Sequence, residues 1–184
     1  QDGKDIRLAI DSKVQYMAYS QLKQAVTDFK AKAGGVVVVD TKTGEILALA
    51  NWPTYNPNNR ERLSGAQLRN RALTDTYEPG SVMKPFTAAL ALEYDKVRFD
   101  TVIACAPGRL TIGSATISDA HPHGDLTVAQ VIQKSSNVGT VQLTRQMDKA
   151  TLSNYLASFG LGSSTGIELP GESGSFARRA ELIR

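Results

Sequence analysis

Apolar residues recur along the chain in two periods, and the change from one to the other outlines its elements. Ile6, Leu8 and Ile10 alternate with polar neighbours, the period of a short strand. Beyond them the spacing lengthens. Val14, Met17, Ala18, Leu22, Ala25, Val26 and Phe29 follow the helical period, which predicts an amphipathic helix capped by Asp11 or Ser12. Gly34 and Gly35 are expected to end it. Val36 to Val39 and Glu45 to Ala50 flank Asp40-Thr41-Lys42-Thr43-Gly44 and read as a hairpin with a short turn. The first of these strands is apolar at every position, which predicts a central strand covered on both faces.

Asn51 to Thr76 is rich in Asn, Arg and Pro, with a short helix expected only around Ala66 to Arg69. A connection this long in a compact domain is usually functional, and it leads into Glu78-Pro79-Gly80. Ser81 to Tyr94 is helical by composition, and Thr101 to Ile117 reads as short strands with Pro107-Gly108 as a turn. Leu126 to Lys134, Asn137 to Met147 and Lys149 to Phe159 are expected as helices. Gly160, Gly162 and Gly166 interrupt the pattern before Ile167 to Leu169, and Pro170-Gly171-Glu172 closes it. Neither an internal repeat nor a low-complexity tract is present.

Composition narrows the function. The chain has 184 residues, 41% hydrophobic and 21% charged, as expected of a single globular domain. Its net charge of +3 comes from scattered Lys and Arg, and with 7% aromatic residues there is no basic stripe interleaved with rings, which argues against nucleic acid as a partner. The single cysteine, Cys105, has no intrachain partner and reads as a small buried side chain. No run approaches the length of a membrane span, and Gln1 is followed by neither a basic nor an apolar leader, so the expectation is a fragment whose anchor is absent.

Ser81 and Lys84 carry the candidate chemistry. Serine is a poor nucleophile at neutral pH and needs a proton acceptor within hydrogen-bond reach. At a spacing of i, i+3 on a helix the two side chains share a face, and a helix start directs free amide groups toward the hydroxyl. Spacing alone is weak: Ser20-Gln21-Leu22-Lys23 has it too, but lies mid-helix where the amides are already bonded, so it reads as helix surface. Ser81 differs because Pro79-Gly80 breaks the chain just before it and Pro85 suits the first turn of a helix. Further on, Ser135-Ser136-Asn137 is a polar step between two expected helices. Ser135 is placed to relay a proton and Asn137 to bind a peptide group with its amide; the alternative, that one of these residues simply caps the following helix, stays open.

These residues carry a family resemblance. Glu-Pro-Gly-Ser81-Val-Met-Lys84-Pro, then Gln-Lys-Ser135-Ser-Asn137-Val-Gly, resembles the first two active-site motifs of penicillin-binding transpeptidases, and the form of both resembles the division-specific, class B members. Val-Val-Asp40-Thr-Lys-Thr-Gly44-Glu-Ile-Leu resembles the hairpin that opens that family's sheet, and Phe159-Gly-Leu-Gly162 through Leu169-Pro-Gly-Glu172 the segment after the second motif. The resemblance implies an α/β (α+β) transpeptidase fold, with helices packed on a largely antiparallel sheet. It implies a peptidoglycan D,D-transpeptidase of septal wall synthesis, acylated by β-lactams at Ser81, with Lys84 as proton acceptor, Ser135 as proton relay and Asn137 holding the donor stem peptide. No cofactor and no metal is implied. Divisome membrane proteins and a glycosyltransferase partner, on the periplasmic face of the inner membrane, are implied in the same way. The rival readings are a serine β-lactamase and a non-catalytic penicillin-binding sensor.

One departure stands out: the family's third motif, Lys-Thr-Gly or Lys-Ser-Gly, does not follow Asn137, while Lys42-Thr43-Gly44 has the letters but sits in the hairpin turn ahead of Ser81. Residues 1–184 are therefore expected to be the N-terminal and central part of one transpeptidase domain, incomplete at the C-terminus. His121-Pro122-His123 has no cysteine nearby and only Asp119 and Asp125 as carboxylates, which falls short of the common metal sites, and it reads as a solvated loop beside the active site. Glu172 lies at about the distance from the second motif at which class A β-lactamases keep a deacylating glutamate, but its Leu-Pro-Gly-Glu-Ser-Gly setting reads as a turn. Trp52 and Tyr55 are candidates to line a groove, with simple packing as the alternative.

Overall fold

A computed structural model describes residues 3–173 of the chain. These form two compact units, Gly3–Thr76 with Ile167–Ser173, and Tyr77–Gly166. All strand pairs are antiparallel, and helices pack against them. Among the described residues no helix is long and apolar enough to cross a membrane.

The first unit is built on helix α1 (Ser12–Asp28). Asp11 caps it, its carboxylate accepting from the Lys13 and Val14 amides at 2.8 and 3.0 Å. The predicted stripe is narrower than its sequence suggests: Leu22 and Val26 are buried, but Met17 and Phe29 are exposed. The helix ends at Lys30, not at the glycines. Lys30 takes φ 51°, and the Ala31 and Lys30 amides return to the Val26 and Thr27 carbonyls, a Schellman closure without glycine. Gly34 and Gly35 instead begin β1 (Gly34–Val39), which pairs with β2 (Ile46–Trp52).

Helices approach β1 at both glycines, and at Gly34 the approach leaves no room for a side chain. A Cβ at Gly34 would lie 2.8 Å from Leu22 of α1. One at Gly35 would meet Ala72, on a helix described below, at 3.6 Å. Burial along β1 then alternates, with Val37 and Val39 each 46% exposed, so this strand is not covered on both faces among the described residues. The hairpin turn is as expected: the Asp40 carboxylate accepts from the Lys42 amide at 2.7 Å and Gly44 takes φ 78°, a left-handed conformation that favours glycine. Lys42-Thr43-Gly44 is thus exposed turn.

Residues 3–11 form no strand; Ile6 is 83% exposed, and the Asp11 amide bonds to the Leu47 carbonyl. Alternation alone did not make a strand there, although β2 is paired on one side only. The edge of β2 is instead met by a side chain, Gln15, which donates to the Leu49 carbonyl at 3.0 Å and accepts from its amide at 2.7 Å. The long connection holds two one-turn helices, α2 (Gly65–Leu68) and α3 (Arg71–Thr74), the second not anticipated from sequence. Asn51 ties α3 to β2: its amide donates to Asn70 at 2.9 Å and accepts from the Ala72 amide at 2.8 Å. Ser173 closes the unit by bonding to the Leu73 and Thr74 carbonyls.

In the second unit a 3-10 turn, Gly80–Met83, runs straight into α4 (Lys84–Glu93). Then follow β3 (Val102–Ile103), β4 (Arg109–Ile112), β5 (Ala115–Ser118) and β6 (Leu126–Thr127). β3 pairs with β6 and β4 with β5. The helix expected from Leu126 starts later, as α5 (Val128–Gln133), because Leu126 and Thr127 are taken by β6; Thr127 caps it and Gln130 reciprocates. α6 (Asn137–Thr144) and α7 (Lys149–Ser158) follow as predicted, α7 capped by Asp148. Ala88, Ala91, Ile103, Cys105, Val128, Val131, Val138 and Leu143 form one buried core between these helices and β3–β6. The expectation for Cys105 holds: it is fully buried, and burial pushes its thiol pKa up.

Candidate active site

The site lies within the second unit, where the turn before α4 meets the turn before α6. Ser81 does not open an α-helix as expected; it stands in the 3-10 turn, and the Lys84 amide bonds back to the Ser81 carbonyl. The i, i+3 pairing survives this change, because side chains three apart eclipse in a 3-10 turn. Ser81 is exposed and Lys84 half-buried, at the edge of a cavity of about 370 Å³ walled in part by Met83, Thr87, Ile117, Asn137 and Val141.

Ser135 completes a hydrogen-bonded row. Its Oγ donates to Ser81 Oγ at 3.0 Å, and Lys84 Nζ donates to Ser135 Oγ at 2.9 Å and to the Ser135 carbonyl at 2.6 Å. The bridging hydroxyl, rather than Lys84 itself, is the group bonded to the Ser81 oxygen. Backbone conformation puts it there: Ser135 has φ 54°, a left-handed conformation that costs a non-glycine residue about 1–3 kcal/mol and persists only where surrounding contacts impose it.

Those contacts come from the next residues. The alternative left open at sequence level, that part of this step caps a helix, is true of Ser136 and not of its neighbours. Ser136 is buried, and its Oγ accepts from the Gly139 amide at 2.9 Å while donating to Asp119 at 2.8 Å. Asp119 also accepts from the Asn137 and Val138 amides at 2.5 and 3.0 Å. One carboxylate at the end of β5 therefore satisfies two orphan donors of the α6 N-terminus, where negative charge is favourable. Asn137 Nδ2 donates to the Ser118 carbonyl at 2.8 Å, which orients its amide at the cavity wall.

Sequence reasoning passed over Asp119 except as a carboxylate near His121. No local motif marks it, since its partners are 17 to 19 positions away. It also sets part of the electrostatics. Burial pushes the Lys84 pKa below its ordinary value, and the negative charge of Asp119 acts in the opposite direction. Desolvation wins, which favours the neutral amine.

Ser20 and Lys23, which share the Ser81 spacing, lie on α1, with Lys23 Nζ 5.4 Å from the centre of the Trp52 ring. Glu172 falls outside helix and strand, in the first unit.

Residues 34–183 match the family described as penicillin binding protein transpeptidase domain. The chain is 43% identical over 177 residues to the probable peptidoglycan D,D-transpeptidase PenA of Neisseria flavescens, covering 96% of this chain and 44% of that protein. It is 41% identical over 172 residues to the peptidoglycan D,D-transpeptidase FtsI of Escherichia coli, covering 94% of this chain and 29% of that one. The structure superposes on the apo TP domain of Burkholderia pseudomallei penicillin-binding protein 3 with a TM-score of 0.80 and 40% identity, over 95% of this chain and 48% of that chain. A crystal structure described as a peptidoglycan glycosyltransferase from Burkholderia ambifaria gives 0.80 at 45% identity, over 91% and 49%. The chain thus spans less than half the length of these relatives. A match over most of the chain, with the fold and the order of elements in agreement, places it in the penicillin-binding protein transpeptidase domain family.

Proposed function

We propose that this chain carries the acyl-accepting centre of a peptidoglycan D,D-transpeptidase of septal wall synthesis, with Ser81 as nucleophile. The observation that carries the assignment is the continuous row Lys84 Nζ, Ser135 Oγ, Ser81 Oγ at the edge of a cavity sized for a short peptide. Hydroxyls both donate and accept, so the row can reverse its polarity: Ser81 gives its proton to Ser135, and Ser135 gives its own to a neutral Lys84. Ser81 Oγ is then free to attack the D-Ala-D-Ala carbonyl. As the C–N bond breaks, Lys84 returns the proton to Ser135 and Ser135 gives its own to the departing D-alanine nitrogen, leaving Ser81 Oγ as the acyl ester. An amine from a second stem peptide attacks that ester and regenerates the Ser81 hydroxyl.

Asn137 fits the donor stem. With Nδ2 held by the Ser118 carbonyl, its Oδ1 accepts a peptide N–H of the substrate. β-Lactams acylate Ser81 by the same route. Relatives named for peptidoglycan transpeptidation support the substrate class; a periplasmic setting, a membrane anchor, and division proteins and a glycosyltransferase as partners are part of the same proposal.

Fluorescent penicillin tests the centre. Labelling is expected on the wild type, absent in Ser81→Ala, and reduced by about two orders of magnitude or more in rate in Lys84→Ala and Ser135→Ala, the scale of a lost proton-transfer group. Equal labelling of Ser81→Ala would end the assignment. A long-lived adduct fits a transpeptidase, whereas rapid turnover identifies a hydrolase.

A further inference from the structure

We propose that a groove in the first unit, beside the end of β2, binds a short run of neutral N-acetylated sugars. Its volume of about 540 Å³ falls within the roughly 300–1,000 Å³ of small-molecule sites. Trp52 and Tyr55 contribute ring surface to its lining, and Asn56, Asn59, Glu61 and Gln67 contribute planar polar groups.

That lining selects its ligand by chemistry. Glu61 lines the groove and no Lys or Arg does; Lys23 Nζ lies 5.4 Å from the centre of the Trp52 ring, so the charges about the groove are of both signs. Amides and rings together suit a pyranose, which has apolar C–H faces for the rings and hydroxyl edges that donate and accept at once. The polar groups are held in advance. Asn56 Oδ1 accepts from the Asn58 amide at 3.0 Å and Asn59 Oδ1 from the Glu61 amide at 3.2 Å, which leaves both NH₂ groups as donors. Gln67 Oε1 is engaged by Ser64, and Tyr19 packs at 6.1 Å from the Trp52 ring. Less ordering is then needed on binding. The choice of N-acetylated sugars over other neutral sugars rests on the proposed role in peptidoglycan, a polymer of such sugars and stem peptides.

Trp52 is the only tryptophan, so its emission reports on this groove. Titrating the chain with chitotetraose is expected to give a saturable change in that emission. Tyr55→Ala and Asn59→Ala, each checked for an unchanged thermal transition, are expected to weaken it about tenfold or more, a loss of about 1.4 kcal/mol. Should either variant fail to fold, wild-type NMR shifts of the Asn56 and Asn59 side-chain amides on adding the sugar replace it. No saturable change, an equal response in both folded variants, unmoved amides, or a response to stem peptide in place of sugar would each overturn the proposal. Penicillin labelling of the same sample separates the two readings: a chain that labels without binding sugar loses only this groove, and one that binds sugar without labelling loses only the transpeptidase assignment.

Discussion

Asp119 is the residue on which the geometry of the site turns, and it suggests an experiment that separates charge from shape. Asp119→Asn keeps the size of the side chain but weakens the bonds to Ser136 and the α6 amides, and is expected to cost about 1–3 kcal/mol in chemical denaturation. Its second effect is electrostatic. The Asp119 charge raises the Lys84 pKa against the larger effect of burial, so removing it lowers that pKa further. If a neutral Lys84 is the base, penicillin acylation rises with pH as the amine loses its proton. That limb is expected below the ordinary lysine range in the wild type and at still lower pH in Asp119→Asn; a limb that moves upward contradicts the role given to Lys84. Ser81, Lys84, Ser135 and Asn137 were legible in the sequence because each belongs to a short string with a turn or helix start beside it. Asp119 was not, because its importance comes from what β5 ends against.

At the scale of elements, helix α6 carries the site and Gly139 decides how close it can come to α5. A Cβ there would lie 2.5 Å from Val131 Cγ2 and 3.0 Å from the Cys105 sulfur. Alanine gains about 1 kcal/mol in helix propensity over glycine, but the clash is with buried side chains, and overpacking typically costs about 1–3 kcal/mol. Gly139→Ala is therefore expected to lower stability and to slow acylation, since the helix must shift at the end that holds Ser135; urea unfolding and penicillin labelling measure the two effects. Lys30 offers the opposite case. It adopts a left-handed conformation with its closure bonds already made, so Lys30→Gly is expected to raise stability by up to about 1 kcal/mol, read as a higher urea midpoint. The sequence revealed the amphipathic helices and the first hairpin well, since their periods are long or their turn distinctive. It misjudged the end of α1, where a lysine does what a glycine was expected to do, and Ile6 to Ile10, where the outer edge of β2 is met by the Gln15 side chain and not by a strand.

The described residues hold two cores, and each has a unique reporter: Trp52, packed against the core of the first unit, and Cys105, within that of the second. Leu143 is fully buried in the second core, and Leu143→Ala is expected to cost about 2–5 kcal/mol. Reaction of Cys105 with a thiol reagent in urea is the probe for it, because the thiol is buried and its pKa is raised until the unit opens. An unchanged midpoint for Cys105 modification would show that Leu143 contributes little to that core. This division of the described residues into two compact units was not visible in the sequence. What the sequence determined by itself was local: where α1, α6 and α7 start, which turn takes Gly44, and that Ser81 and Lys84 share a face. Tertiary structure decided which Ser-x-x-Lys meets a second hydroxyl: Ser81 does, from a residue 54 positions away. It also decided that Lys84 is desolvated and that one face of β1 is covered more fully than the other. Caps and spacings are properties of a few neighbouring residues, whereas burial and long-range hydrogen bonds depend on which surfaces the folded chain brings together.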